Sequence, residues 1–222
     1  MKVAVLGEYH SDEAAVRIIA EAVRGETLAL IDTPTLRTRG WPAVRKVLPT
    51  VIKHLHYRTD AEGLIVVVDS DDSPQHEASH SYTRDHHTQC RLCQLLRAIH
   101  ETKSKLTKVS GKQPLKIAVG LAIPSIEAWF QCGVDHSVSE LSFYEGLNRG
   151  AVPYTTRQLK QRVYGSDRES LSLRHETMIR EAQRLRGYVP ELQRLFPVGF
   201  GSLCRDLNGW PGEDFNDPQT AI

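Results

Sequence analysis

The sequence predicts an α/β protein in which a mostly parallel central sheet is flanked by helices and followed by a helical carboxyl-terminal extension. Three observations carry that expectation. Short apolar runs alternate with stretches whose apolar residues recur at helical spacing, the order that builds a parallel sheet through helical crossovers. The run Leu64-Ile65-Val66-Val67-Val68 is continuously apolar and mostly β-branched, as a strand covered on both faces must be. It leads straight into Asp69-Ser70-Asp71-Asp72, so a buried strand ends in carboxylates. Ligands of open α/β sheets bind at that end of the strands.

The elements follow in order. Val3-Ala4-Val5-Leu6 is a first strand that stops at Gly7-Glu8. Ser11 or Asp12 caps the next helix, in which Ala14, Ala15, Ile18, Ile19, Ala22 and Val23 form one stripe and which Gly25 ends. Thr27 to Ile31 is a second strand, and a Pro/Thr/Arg/Gly loop follows it through Pro42. Ala43 to Leu55 is helical, with Val44, Val47, Leu48, Val51, Ile52 and Leu55 on one side. After the acidic-ended strand, Ser73 to His87 is a polar, His-rich loop, and Thr88 to Leu106 is a helix carrying Leu92, Leu95, Leu96 and Ile99. Ile117 to Ile123 is the next strand; it breaks at Pro124 and resumes as the short helix Ser125 to Phe130. From about Val134 the pattern changes to helices and loops, including Thr155 to Tyr164 and Leu171 to Leu185. The division expected is an α/β domain over residues 1–133 with a helical extension over 134–222 packed on it.

Charge is balanced overall and uneven locally. There are 28 Lys and Arg against 27 Asp and Glu, so no global charge announces a nucleic-acid binder. Residues 60–77 nevertheless hold six acidic side chains and no Lys or Arg, whereas residues 97–116 hold six basic ones against Glu101 alone. An acidic centre beside basic segments suits a metal-dependent enzyme acting on a polyanion. Lys103, Lys105, Lys108, Lys112, Arg157 and Lys160 are the expected phosphate contacts on DNA or RNA, although Lys/Arg-rich helices are more commonly solvated faces. No amino-terminal signal peptide and no apolar stretch of about 18 residues is visible, so the expected setting is the cytoplasm, with no membrane partner. The four Cys are then expected to be free thiols.

The chemistry-bearing residues converge by placement. Asp69 and Asp71 stand two apart, and on an extended segment both would project to one side of the sheet edge. Carboxylates that close repel unless a cation sits between them, and hard cations such as Mg²⁺ take such ligands. The plainer alternative is an acidic loop whose Asp residues cap a turn. Glu8 ends the first strand, Asp12 follows four residues on, and Glu127 lies just past a later strand, so five carboxylates can meet at one site. A second constellation competes with them. His76, His80, His86, His87, Cys90 and Cys93 fall within eighteen residues, and His86 or His87 with Cys90-x-x-Cys93 has Zn²⁺-ligand spacing. Cys90 and Cys93 lie on a predicted helix, however, where Arg91 and Leu92 fit an ordinary amphipathic turn. The segment is therefore read as a polar loop over the site, its His residues approaching phosphate or metal-bound water, and Zn²⁺ at His86, Cys90 and Cys93 is not expected.

Gly7-Glu8-x-x-x-Asp12, followed by an apolar strand ending in Asp69-x-Asp71, resembles the Toprim domain of topoisomerases, DnaG-type primases and the overcoming-lysogenisation-defect nucleases, over roughly residues 1 to 130. The segment Ile126-Glu127-Ala128-Trp129, with Phe200-Gly201-Ser202-Leu203-Cys204-Arg205-Asp206-Leu207 near the end, is similar to the small bacterial RloB-like group of Toprim proteins. The resemblance implies a Toprim-like fold and a Mg²⁺-dependent (or Mn²⁺-dependent) nuclease of a bacterial phage-defence or DNA-processing system. It implies Glu8, Asp69 and Asp71 as catalytic residues, Glu8 as metal ligand or general acid/base, and Asp12, Asp69, Asp71 and Glu127 as ligands of one or two metal ions. Two such ions about 4 Å apart activate a water and stabilise the leaving oxygen of a phosphodiester. The group's Gly-rich loop after the second strand is replaced here by Arg37, Arg39 and Gly40. An alternative of a different class is a non-catalytic Toprim-like scaffold in a complex with an ATPase subunit.

Overall fold

The computed structural model describes residues 1–33, 40–77, 80, 88–166 and 168–210. Strands β1 (Lys2–Leu6), β2 (Ala29–Leu30), β3 (Gly63–Asp69) and β4 (Lys116–Ala122) form one sheet in the order β2-β1-β3-β4, and every pairing is parallel. Val3 pairs with Gly63 and Asp69 with Ala122, so β1, β3 and β4 end along one edge. Residues 63–68 are buried throughout, which accounts for the unbroken apolar run. The expected second strand shrinks to Ala29 and Leu30, both exposed. It lies at the sheet edge with one neighbour, where pairing is least demanded.

Helices α1 (His10–Arg24), α2 (Gly40–Arg58) and α3 (Arg91–Lys103) connect the strands. The first begins earlier than its Ser and Asp suggest: Tyr9 is the N-cap residue, and Asp12 accepts the Tyr9 backbone N–H through Oδ2 at 3.1 Å. Asp12 therefore closes the helix start from three residues inside it. Beyond β4 come α4 (Ile126–Trp129), α5 (Glu140–Asn148), α6 (Thr156–Tyr164), α7 (Leu171–Leu185), α8 (Val189–Leu195) and α9 (Gly199–Asn208). α1 packs on α7 and α9, and α9 packs on β4, whereas α2 packs on α3. Residues 134–210 thus share one hydrophobic core with the sheet, Phe200 and Leu203 lying in the same cluster as Val3 and Val66. Among the described residues no helix is long and apolar enough to cross a membrane.

α9 also protects the open edge of β4. Asp206 accepts the Val119 N–H at 2.9 Å and Ser202 Oγ donates to the Val119 carbonyl at 3.1 Å, so side chains occupy groups that an edge strand otherwise leaves unpaired. The helix starts at Gly199, whose amide, like that of Val198, is held by the buried Glu140 carboxylate. A Cβ at Gly199 would lie 2.1 Å from the Leu121 carbonyl oxygen, a backbone atom that cannot swing aside. Gly199→Ala should therefore lower the urea midpoint by the equivalent of about 3 kcal/mol, the upper part of the overpacking range. An unchanged midpoint would show that the helix does not approach the strand this closely.

Candidate functional site

The carboxyl edge of the sheet gathers the sequence's candidate carboxylates. Glu8 sits in the turn between β1 and α1, and its Oε1 accepts the Asp69 backbone N–H at 3.1 Å. The backbone of Trp41, in the first turn of α2, also donates to it. Asp69 ends β3, and its Oδ1 accepts the Ile126 N–H at 2.9 Å, tying that strand to the start of α4. Asp12 faces inward from α1 and pairs with Arg174 of α7, Oδ1 to Nη2 at 3.0 Å. Glu127 is fully buried; its Oε1 accepts the Tyr164 hydroxyl at 3.0 Å and its Oε2 has no protein partner.

Asp71 corrects the strand-alternation reading of the Asp69-x-Asp71 pair. The strand stops at Asp69, and Asp71 has φ 43°, in the left-handed region that a non-glycine residue occupies only when its surroundings hold it there. Its N–H donates to the Pro124 carbonyl at 2.9 Å, and its carboxylate meets Arg91 Nη2 at 2.8 Å. Arg91 Nη1 donates to the Asp69 carbonyl at 2.7 Å and stands 3.8 Å from Glu8. One guanidinium thus fixes the acidic turn, the end of β3 and the first carboxylate together.

Five carboxyl groups face two guanidinium groups here, and burial is the largest influence on the titration of Glu8, Asp12 and Asp69. Desolvation, then the charges of Glu127, Asp12, Glu8 and Asp71, hold Asp69 well above the usual carboxylate range. Burial pushes Asp12 up to about 7, opposed by Arg174 and reinforced by Glu127 and Glu8. Burial also raises Glu8, partly countered by the Asp69 amide, with the Asp71 charge raising it further. In the unfolded chain Asp12 titrates near 3.8. Between about pH 4 and 7 the folded chain therefore keeps a proton that the unfolded chain has released, and this group's contribution to stability falls as pH rises. Without added divalent cation, raising the pH through that window should cost up to about 1.4 kcal/mol per unit relative to Asp12→Asn, measured by urea unfolding of both proteins. Parallel pH profiles for the two would contradict the raised value.

Next to the buried carboxylates opens a cleft of about 820 Å³, lined by Trp41, Arg45, Asp71, Arg91, Tyr154 and Arg157 among others. Arg157, one of the expected phosphate contacts, lines this cleft, and Lys160 lies one turn further along α6. Lys103, Lys105, Lys108 and Lys112 lie elsewhere. Lys103 ends α3, about 20 Å from Arg91 along a thirteen-residue helix, and Lys105 and Lys108 follow in the segment leading back to the amino edge of the sheet. Lys112 Nζ donates to the carbonyls of Leu55, His56 and Thr59, so it caps the carboxyl end of α2.

The His and Cys residues form a separate group. Cys90 is the N-cap residue of α3 rather than part of the helix, and Cys93 lies in its first turn. His76, His80, Cys90 and Cys93 each present a ligand atom, all within 4.8 Å of one another. Among the described residues no three of the site carboxylates gather this tightly. His86 and His87 lie outside the described residues, as do Arg37 and Arg39.

Arg91, Arg174, Tyr164 and Trp41 were not singled out from the sequence, and for Arg174 a signal exists. It shares the inward register of α7 with Met178, Ala182 and Leu185, all buried, and a charge at that register needs a buried partner. Comparison with protein-family models, curated proteins and solved structures finds no match to this chain.

Proposed function

We propose that the chain is a Toprim-type nuclease that cleaves phosphodiesters with Mg²⁺ or Mn²⁺, and that its active centre is the Glu8, Asp12, Asp69, Asp71 and Glu127 cluster. The single observation that carries this reading is that Glu8 Oε1 accepts the Asp69 N–H while Arg91 joins Glu8, the Asp69 carbonyl and Asp71, with Asp12 and Glu127 near enough for their charges to act on Asp69. The donor set is all oxygen, as Mg²⁺ requires, and it includes one buried carboxylate oxygen, Glu127 Oε2, without a protein partner. A bound divalent ion would supply Lewis-acid activation of water and charge stabilisation at the leaving oxygen.

The chain's own residues supply the rest. Arg45, Arg91 and Arg157 at the cleft give phosphate oxygens a positive wall beside the acidic centre. Trp41, with Arg91 stacked 5.4 Å from its ring, offers an apolar face at the cleft wall. Glu8, raised by burial yet adjoining the cleft residue Arg91, is the group suited to carry a proton. Arg174 neutralises Asp12 from within and leaves Asp69 and Asp71 to the metal. The proposed setting is a cytoplasmic bacterial defence or DNA-processing system, with DNA or RNA as substrate and an ATPase subunit as partner.

One observation favours a second reading, a scaffold subunit without chemistry: Asp12, Asp69, Asp71 and Glu127 each already hold a protein donor. Incubating the full chain with single- and double-stranded DNA and RNA separates the two. Cleavage that requires Mg²⁺ or Mn²⁺ supports the enzyme, and partner-dependent activity indifferent to these residues supports the scaffold.

A further inference from the structure

The group on the loop after β3 and at the start of α3 has the chemistry of a closed metal site. Cys90 and Cys93 are fully buried, and His76 and His80 are half-buried beside them. His76 Nδ1 stands 3.3 Å from Cys93 Sγ and 3.6 Å from Cys90 Sγ. In a tetrahedron with Zn–S of about 2.3 Å and Zn–N of about 2.0–2.1 Å, a nitrogen and a sulfur ligand lie roughly 3.5 Å apart. The two observed distances bracket that edge. The His76 and His80 rings meet edge to face, centroids 5.5 Å apart, so the nitrogens come together without stacking the rings. The spacing His76-x₃-His80 and Cys90-x₂-Cys93 is also that of paired zinc ligands, one pair on the loop and one on the helix start.

We propose that these four side chains bind one structural Zn²⁺ ion. Two thiols give up their protons on binding, and two thiolates with two neutral imidazoles leave the Zn²⁺ site without net charge, which suits a buried position. All four positions are filled by protein, so the site is structural rather than catalytic. Its place in the fold gives it a task. Cys90 adjoins Arg91, and Ser73 of the same loop accepts the Arg91 backbone N–H at 3.0 Å. A zinc ion joining residues 76 and 80 to residues 90 and 93 would clamp the loop after the acidic turn onto the residue that holds Asp71 and the end of β3.

The test uses the full chain and the metal alone. Protein purified from zinc-supplemented medium without chelators should carry one zinc per chain by elemental analysis. Exchange to Co²⁺ should give a thiolate-to-cobalt charge-transfer band with intense visible bands of tetrahedral cobalt. Cobalt on the carboxylates would instead give weak octahedral bands and no charge transfer, so the two sites are separable in one spectrum. His80→Ala, partly exposed and outside the helix, should keep the wild-type circular dichroism while weakening Co²⁺ binding by more than about tenfold and changing the band shape, since even outer partners of metal ligands contribute that much. Cys93→Ser should weaken the thiolate-to-cobalt band; should that variant fail to fold, the wild-type cobalt spectrum and His80→Ala still decide. A wild-type spectrum without thiolate charge transfer, or an unchanged one in His80→Ala, would overturn the assignment.

Discussion

Arg174→Met should destabilise the protein by about 3–5 kcal/mol at pH 8, the cost of leaving a buried charge without its partner. Arg174 is 7 % exposed, pairs with Asp12 at 3.0 Å and lies over the Tyr9 ring at 4.4 Å. Met keeps much of the apolar stem but removes the only guanidinium among the described residues that pairs with Asp12. The loss should shrink near pH 5, where Asp12, already held up to about 7, takes a proton and needs no partner. Adding Asp12→Asn to Arg174→Met should recover a substantial part of the stability at pH 8, and a double-mutant cycle from urea midpoints measures the coupling. A loss below about 1 kcal/mol at pH 8, or none recovered in the double variant, would show that the pair is not what holds α7 against α1.

How much of this was legible follows from what each residue needs. Leu171–Leu185 was bounded correctly because its apolar spacing, Ser170 N-cap and register are all local. The strand ending in Asp69 was equally plain, since burial on both faces leaves no room for polar residues. Asp71 was misplaced because period-two alternation says nothing about where a strand stops, and its left-handed turn is fixed by Pro124 and Arg91, more than fifteen residues away. The lysine segment shows the converse limit. Composition marks residues 103–112 as basic, but only topology shows that they lie at the amino edge of the sheet while the carboxylates lie at the other. For the Cys pair, the helix start moved by three residues from the expected Thr88, and this turned a presumed amphipathic turn into an N-cap with both sulfurs facing His76.

Asp69→Asn should abolish divalent-cation-dependent cleavage, by about 10³-fold or more, while leaving the fold intact. The substitution keeps volume and an oxygen that can accept the Ile126 N–H, so the link from β3 to α4 survives. Asp69 is held well above the usual carboxylate range by burial and by four neighbouring carboxyl groups. Burial and the neighbouring carboxyl groups disfavour a charge on Asp69 in the absence of metal, so the variant's metal-free urea midpoint should be unchanged or slightly higher. What the variant loses is the charge that Mg²⁺ would meet. Wild type should gain stability as Mg²⁺ is raised, because an ion that binds only the folded chain shifts the equilibrium by mass action, whereas the variant should gain little. The most direct measurement runs both proteins side by side on DNA and RNA, with and without Mg²⁺ or Mn²⁺, and follows cleavage together with the urea midpoint. Cation-dependent cleavage and stabilisation in wild type, both lost in Asp69→Asn, is the predicted result; cleavage by Asp69→Asn at the wild-type rate would contradict the assignment of this cluster as the active centre.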